Sequence, residues 1–340
     1  MMAKKILTVL RRMALLLIIF TLFVGVSKVC ERKTITGAWN YSLKVNGFTN
    51  EPEESLDIIG YGSSHMYCTL SPVSIYETFG LRSYVLATQQ QPVDATYYYI
   101  KESLKTQSPE VLVLEALMFT VLDDVVKEGV AHDAVDPFPD GWNKLMMINA
   151  LNTEDAKENY YFNLLKYHSR WKELDDQDYD FSWKEETDPY HGFVFLTDAN
   201  PNSMSQISYE DVEEVAILPQ FEEVFLDIVE LAKKNDTEVM LLIAPYNVKQ
   251  EELGRYKYMH RLANENGVKV LDMNLEFDAT GISNDTDFYD SGHLNAFGAE
   301  KASDYIVNFI KENYDVKANA VNDDALWQED IKIYHEGLKK

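Results

Sequence analysis

Five short apolar runs constrain the fold of this chain more than any other feature. Each run is nearly continuous in hydrophobicity, which is typical of strands buried on both faces of a sheet. The segments between the runs have helical spacing, and this alternation predicts a doubly wound parallel sheet. The runs are LDIIGYG (56–62), SYVLA (83–87), VLVLEAL (111–117), VMLLIAPY (239–246) and VKVLDM (268–273).

The pattern predicts one α/β domain over residues 55–315, with three layers around a mostly parallel five-stranded sheet. Residues 118–210 interrupt the rhythm, because they lack a strong strand and are rich in aromatic, acidic and amide side chains. Long insertions of this kind are usually lids or binding regions. We expect a stalk or lead-in at residues 30–54 and a C-terminal tail or helix at residues 316–340.

The N-terminus carries a candidate membrane segment. Residues 1–12 are basic and precede the apolar run MALLLIIFTLFVGV, which predicts a cytoplasmic N-terminus and an extracellular α/β domain. We predict a single-pass signal-anchor at residues 13–29 in the cell membrane, although the run is short for a span of roughly 17–25 residues. Signal cleavage is the alternative, but GVSKVC offers no small-residue cleavage pattern.

Charge and cysteine content limit the possible partners. The chain has 56 acidic and 31 basic residues, a net charge of −25, which argues against nucleic-acid binding through a basic patch. Cys30 and Cys68 are poorly placed to pair, and an exported domain without disulfides favours a bacterial envelope. No His/Asp/Glu cluster with ligand spacing is recognised, so neither a metal nor a cofactor is predicted.

The first apolar run ends in GSSH, which places Ser63, Ser64 and His65 directly after a predicted strand. Ligands of parallel α/β sheets bind outside the carboxyl ends of the strands, so these residues lie at the expected active edge. A serine in such a position is more often a turn or helix-capping residue. The stretch alone therefore predicts little.

The stretch DFYDSGHLNAFGAEKA adds Asp290 and His293 just before the last predicted helix. In D-x-x-H the carboxylate is close enough to orient the imidazole, which then takes the proton from a serine hydroxyl. The structural alternative is a helix N-terminus with Asn295 as its cap and Asp290 complementing the helix dipole.

Together the two blocks resemble the SGNH/GDSL hydrolase superfamily over roughly residues 55–315. The G-D-S block reads Gly62-Ser63-Ser64, which places the nucleophile at Ser64, and the D-x-x-H block falls on Asp290 and His293. The resemblance implies an SGNH or flavodoxin-like α/β/α fold, a Ser-His-Asp triad, and activity on ester bonds without a cofactor.

Two departures from the superfamily pattern affect the oxyanion hole. The second strand leads into LATQQQP without the usual glycine, and Glu115 stands where the third block normally leads to an asparagine. The backbone N–H of Ser64 remains available as a donor. The further candidates for oxyanion or substrate contact are Ser63, His65, Gln89 and Gln90.

The membrane segment, GSS in place of GDS, and the long insertion resemble anchored proteins of cell-envelope acylation, such as the teichoic-acid D-alanylation and alginate-acetylation types. This resemblance implies a serine esterase or O-acyltransferase acting on acetyl- or D-alanyl-type esters of an envelope polysaccharide, beside a membrane-bound O-acyltransferase. The alternative is a non-catalytic SGNH-fold scaffold or glycan-binding partner of that acyltransferase. The missing block residues favour the alternative, whereas the intact Ser, His and Asp favour catalysis.

Overall fold

The computed structural model describes residues 2–318 and 324–339. Its strands form one sheet in which all neighbours are parallel, and each strand overlaps one of the apolar runs, although the fourth strand begins one residue earlier, at Glu238. The strands are β1 (Ile58–Gly62), β2 (Ser83–Ala87), β3 (Val111–Glu115), β4 (Glu238–Ile243) and β5 (Lys269–Asp272). Their order is β2-β1-β3-β4-β5, so the predicted five-stranded sheet is confirmed.

Helices connect the strands and extend the chain at both ends. They are α1 (Met2–Cys30), α2 (Tyr41–Thr49), α3 (Ser64–Tyr67), α4 (Pro72–Phe79), α5 (Val93–Ser103), α6 (Glu128–Val135), α7 (Trp142–Ala150), α8 (Glu158–Tyr161), α9 (Asn163–Tyr167), α10 (Asp176–Tyr179), α11 (Pro219–Lys234), α12 (Gln250–Glu265), α13 (Ala296–Asn313) and α14 (Asp324–Leu338).

The core lies in two apolar clusters, one on each face of the sheet. Helices α5, α11 and α12 cover one face, where Tyr99, Phe225 and Tyr256 are fully buried. Helices α4 and α13 cover the other face through side chains such as Ile75 and Ile306. This is the expected three-layer α/β/α arrangement. The strand order reverses direction between β1 and β3, and ligands of such sheets bind at that switch point.

The start of α13 is fixed by a side-chain cap. The Asn295 side chain accepts a hydrogen bond from the backbone N–H of Gly298 at 3.1 Å, as expected for an N-cap asparagine. Asn295 is fully buried, and its Nδ2 donates to the carbonyl of Thr286 at 2.8 Å. These contacts hold the turn that precedes α13 and thereby position the residues of the D-x-x-H block.

The segments outside the sheet pack onto the domain. Residues 30–54, expected as a stalk or lead-in, contain α2, whose Val45 and Phe48 belong to the core. The C-terminal segment forms α14, which packs against α4 and buries Trp327 and Tyr334. The insertion, all of which the structure describes, contains α6 to α10 and no regular strand.

Helix α1 is long and apolar enough to cross a membrane, and its candidate span is Lys4–Cys30. Its C-terminal end touches the insertion, since the rings of Phe23 and Phe162 meet edge to face at 5.9 Å. Arg170 donates to the carbonyl oxygens of Cys30 and Glu31, both at 2.8 Å.

Candidate active site

The loop after β1 is tight because of a glycine. Gly62 has a φ of +150°, and a Cβ built on it would lie 2.5 Å from the Cβ of Glu115 on the neighbouring strand β3. Only glycine accommodates both the positive φ and this close approach. The chain can therefore turn directly from β1 into α3, whose first residue is Ser64.

Glu115, at the end of β3, holds this turn in place through hydrogen bonds. The carboxylate accepts from the Ser63 N–H at 3.2 Å, the Ser63 hydroxyl at 2.7 Å and the Leu117 N–H at 2.5 Å. Burial raises the pKa of Glu115, and the hydrogen bonds from Ser63 and Leu117 act in the opposite direction. Ser63 is fully buried on Glu115, contrary to the expectation that it contacts the oxyanion or substrate.

Ser64, His293 and Asp290 form a continuous hydrogen-bonded set. His293 Nε2 lies 2.9 Å from the Ser64 hydroxyl, and His293 Nδ1 lies 2.8 and 3.0 Å from the two Asp290 oxygens. Burial acts to raise the pKa of Asp290, but hydrogen bonds from His293 and the Gly292 N–H lower it below its ordinary value. An ionised Asp290 can thus orient His293, whose Nε2 faces the serine as a general base requires.

The Tyr67 hydroxyl lies near the Ser64 side chain and is paired with the Tyr41 hydroxyl. Tyr67 is one helical turn after Ser64, the Ser64 side chain is close enough to act to lower the pKa of Tyr67, and the Tyr67 hydroxyl lies 3.2 Å from the Tyr41 hydroxyl. Burial raises the pKa of Tyr67 well above its ordinary value and that of Tyr41 to about 12, so both remain neutral donors. The spacing Ser64-x-x-Tyr67 was a signal the sequence analysis did not use. Tyr41 lies on α2, and no sequence motif pointed to it as a site residue.

His65 contacts His293 rather than open solvent. Its ring meets the His293 ring edge to face at 5.5 Å and the Tyr246 ring at 4.5 Å. Burial and the neighbouring His293 lower the pKa of His65 to about 3, so its imidazole is neutral near pH 7. Its Nδ1 is buried without a hydrogen-bond partner in the described chain.

The glutamines after β2 contribute differently from the prediction. The side chains of Gln89 and Gln90 are exposed, and within the described part of the chain their amide groups form no hydrogen bond with Ser64. Instead, the backbone of Gln89 lies close enough to the Tyr41 hydroxyl to act to lower its pKa. The glutamine segment thus supports the tyrosine pair through its main chain.

The fold and the site define an α/β protein that carries a hydrogen-bonded Ser-His-Asp set at the carboxyl edge of a parallel sheet. No family model matches the chain, and no curated protein matches it. Among solved structures it is similar to a protein from Desulfitobacterium hafniense DCB-2 assigned to the G-D-S-L family of lipolytic proteins. The identity is 12% and the TM-score 0.37, over 74% of this chain and 97% of that one. This likeness alone assigns no activity to the present chain.

Proposed function

We propose that this chain is a membrane-anchored serine esterase or O-acyltransferase of the SGNH type. Ser64 is the nucleophile, His293 the general base, and Asp290 the residue that orients the base. The observation that supports the proposal is the 2.9 Å contact between His293 Nε2 and the Ser64 hydroxyl. It lies within the range of about 2.6–3.2 Å that a nucleophile and its base require.

In the proposed reaction the Ser64 oxygen attacks an acyl carbonyl while its proton moves to His293 Nε2. The oxyanion accepts hydrogen bonds from the Ser64 N–H, which has no acceptor within the first turn of α3, and from the Tyr67 hydroxyl. The alcohol then leaves with the proton from His293, and an acyl ester on Ser64 remains. Water resolves this ester by hydrolysis, or a sugar hydroxyl resolves it by transfer.

The proposed substrates are acetyl- or D-alanyl-type esters of a cell-envelope polysaccharide. Two features support this choice: α1 would hold the domain at an envelope membrane, and the half-exposed Trp39 ring lies 5.8 Å from the Tyr67 ring. An exposed indole in contact with Tyr67 offers an apolar face on which a sugar ring can stack. A membrane-bound O-acyltransferase is the proposed partner, as the source of acyl groups.

The first test is covalent labelling with a fluorophosphonate, followed by intact mass spectrometry. The full chain in detergent is used, because the end of α1 packs on the insertion. One adduct is expected on wild type and on Ser203→Ala, a control in an exposed loop, and none on Ser64→Ala. An adduct that persists on Ser64→Ala would place the nucleophile elsewhere.

Absence of an adduct on folded wild-type protein would favour the alternative, a non-catalytic scaffold or glycan-binding partner of the acyltransferase. With an adduct established, acyl release from acetyl and D-alanyl esters is measured with and without a glycan acceptor. Release that depends on the acceptor indicates transfer, and release without it indicates hydrolysis.

A further inference from the structure

The insertion brings together three side chains of metal-ligand type. Glu128 and His132 lie one turn apart on α6, and Asp155 lies in the loop between α7 and α8. One ligand atom from each side chain lies within 4.8 Å of the other two. The sequence pattern does not reveal this cluster, because Asp155 is distant in the chain and the Glu-x-x-x-His spacing alone supplies only two ligands.

His132 is held as metal-bound histidines are held. Its Nδ1 lies 2.9 and 3.1 Å from the two Asp136 oxygens, so the Nδ1–H donates to that carboxylate and Nε2 keeps its lone pair. His132 is only 5% exposed, and its Nε2 is buried without a partner in the described residues. A ligating histidine nearly always donates its other N–H to a carboxylate or carbonyl in this way.

The other parts of the cluster are also held in place. Asp155 accepts from the Tyr160 hydroxyl at 2.5 Å and from Asn159 Nδ2 at 3.0 Å. The backbone N–H groups of Val126 and Glu154 bond across the two segments at 2.7 and 3.0 Å. The segments that carry Glu128 and Asp155 are therefore joined before any ligand binds.

One competing contact occupies Glu128, which is paired with the Lys166 ammonium group. Both side chains are about one-third exposed, and such surface pairs contribute little stability. A cation can therefore replace Lys166 at small cost. Since Zn–N and Zn–O bonds measure about 2.0–2.2 Å, tetrahedral ligand atoms lie roughly 3.3–3.5 Å apart. Ligand atoms that lie within 4.8 Å of one another are therefore at most about 1.5 Å from the separations that such an ion requires.

We propose that Glu128, His132 and Asp155 bind a divalent transition-metal ion of the Zn²⁺ class, with water in the remaining position. One imidazole and two carboxylates suit such an ion, whereas Ca²⁺ prefers six to eight oxygen ligands. The ion joins α6 to the loop after α7. Its ligands all belong to the insertion, so the site is independent of the proposed chemistry at Ser64.

The test uses the full chain in detergent, stripped with a chelator and titrated with Zn²⁺ against a chromophoric competitor. The expected result is one equivalent of bound Zn²⁺ and a higher unfolding temperature with Zn²⁺, because a ligand that binds only the native state stabilises it. Ca²⁺ at the same concentration should leave the unfolding temperature unchanged. A failure to bind one equivalent of Zn²⁺ would overturn the proposal.

Variants then assign the site. His132→Ala should lose the bound equivalent, while His168→Ala, a control at an exposed histidine of the same insertion, should keep it. Since loss of a buried histidine can itself destabilise the fold, Glu128→Gln is the second ligand variant, checked by circular dichroism. Asp136→Asn, a positioning variant, should weaken Zn²⁺ binding roughly 10–100-fold while one site remains. Wild-type affinity in both ligand variants would refute the assignment.

Discussion

The contact between Glu115 and the turn after β1 gives the sharpest prediction about how the nucleophile is positioned. Replacement of Glu115 by Gln keeps the shape of the side chain but substitutes an NH₂ group for one oxygen. Both original oxygens accept N–H or O–H donors from Ser63 and Leu117. In either orientation of the amide, the new NH₂ group therefore faces a hydrogen-bond donor, which is Ser63 in one orientation and the Leu117 N–H in the other.

The expected magnitude follows from these contacts. Hydrogen bonds to a charged group contribute about 1.5–3 kcal/mol each, and a buried donor left without a partner costs about 1–3 kcal/mol. Glu115 is 2% exposed, so solvent cannot replace the lost acceptor. We expect the free energy of unfolding to fall by about 2–4 kcal/mol. Because Ser64 follows Ser63 directly, labelling by the fluorophosphonate should also slow.

The assay combines denaturant unfolding with the labelling rate of the folded fraction. Glu238→Gln is the matched control, because Glu238 is exposed at the opposite end of the adjacent strand β4, and it should behave as wild type. If Glu115→Gln unfolds and labels as wild type does, Glu115 does not hold the turn after β1 that carries Ser64, and the reasoning is refuted.

Two further predictions concern a proposed oxyanion donor and a buried histidine. Tyr67→Phe should lower kcat toward an acyl ester by roughly 10²–10³-fold while Ser64 can still be labelled; an unchanged kcat would exclude Tyr67 as a donor. His191 is buried between Glu51 and Asp330 at 2.9 and 3.0 Å. Burial lowers its pKa, but the carboxylates raise it to about 9, above its ordinary 6.5. The resulting stabilisation, ~3 kcal/mol, is complete below about pH 6.5 and is lost as pH rises through about 9. Denaturant unfolding at about pH 7 and pH 10 measures the loss, which should be smaller in His191→Gln; equal pH dependence in both proteins would contradict the assignment.

The sheet could be predicted from the sequence because burial on both faces leaves a local record. Each strand is a continuous apolar run, and the residue after the strand then lies at a known edge of the sheet. The edge position alone did not identify Ser64, which was proposed only because the D-x-x-H block supplied Asp290 and His293 and the two blocks together resemble a known superfamily.

Contacts between segments that are distant in the chain produce no comparable local pattern in the sequence. Tyr41 reaches Tyr67 from α2, and residues 30–54 carry no pattern that distinguishes a packed helix from a stalk. Asp155 joins Glu128 and His132 only through the course of the insertion. The pairing of His191 with Glu51 and Asp330 depends on the docking of α14. In each case the partner is set by tertiary packing, which neither hydrophobic periodicity nor a short motif encodes.

The position of Glu115 bears on how an oxyanion could be stabilised at this site. A carboxylate that pointed at the oxyanion would repel it, since like charges destabilise each other strongly where water is excluded. Here the Glu115 oxygens instead accept hydrogen bonds from Ser63 and Leu117, so Glu115 orients the turn after β1. An oxyanion donor must then come from another residue, and we expect the neutral Tyr67 hydroxyl to be that donor. Since Tyr67 is bonded to Tyr41, helix α2 becomes part of the proposed active site, and substitutions in its packing should alter labelling of Ser64 without any change in the triad.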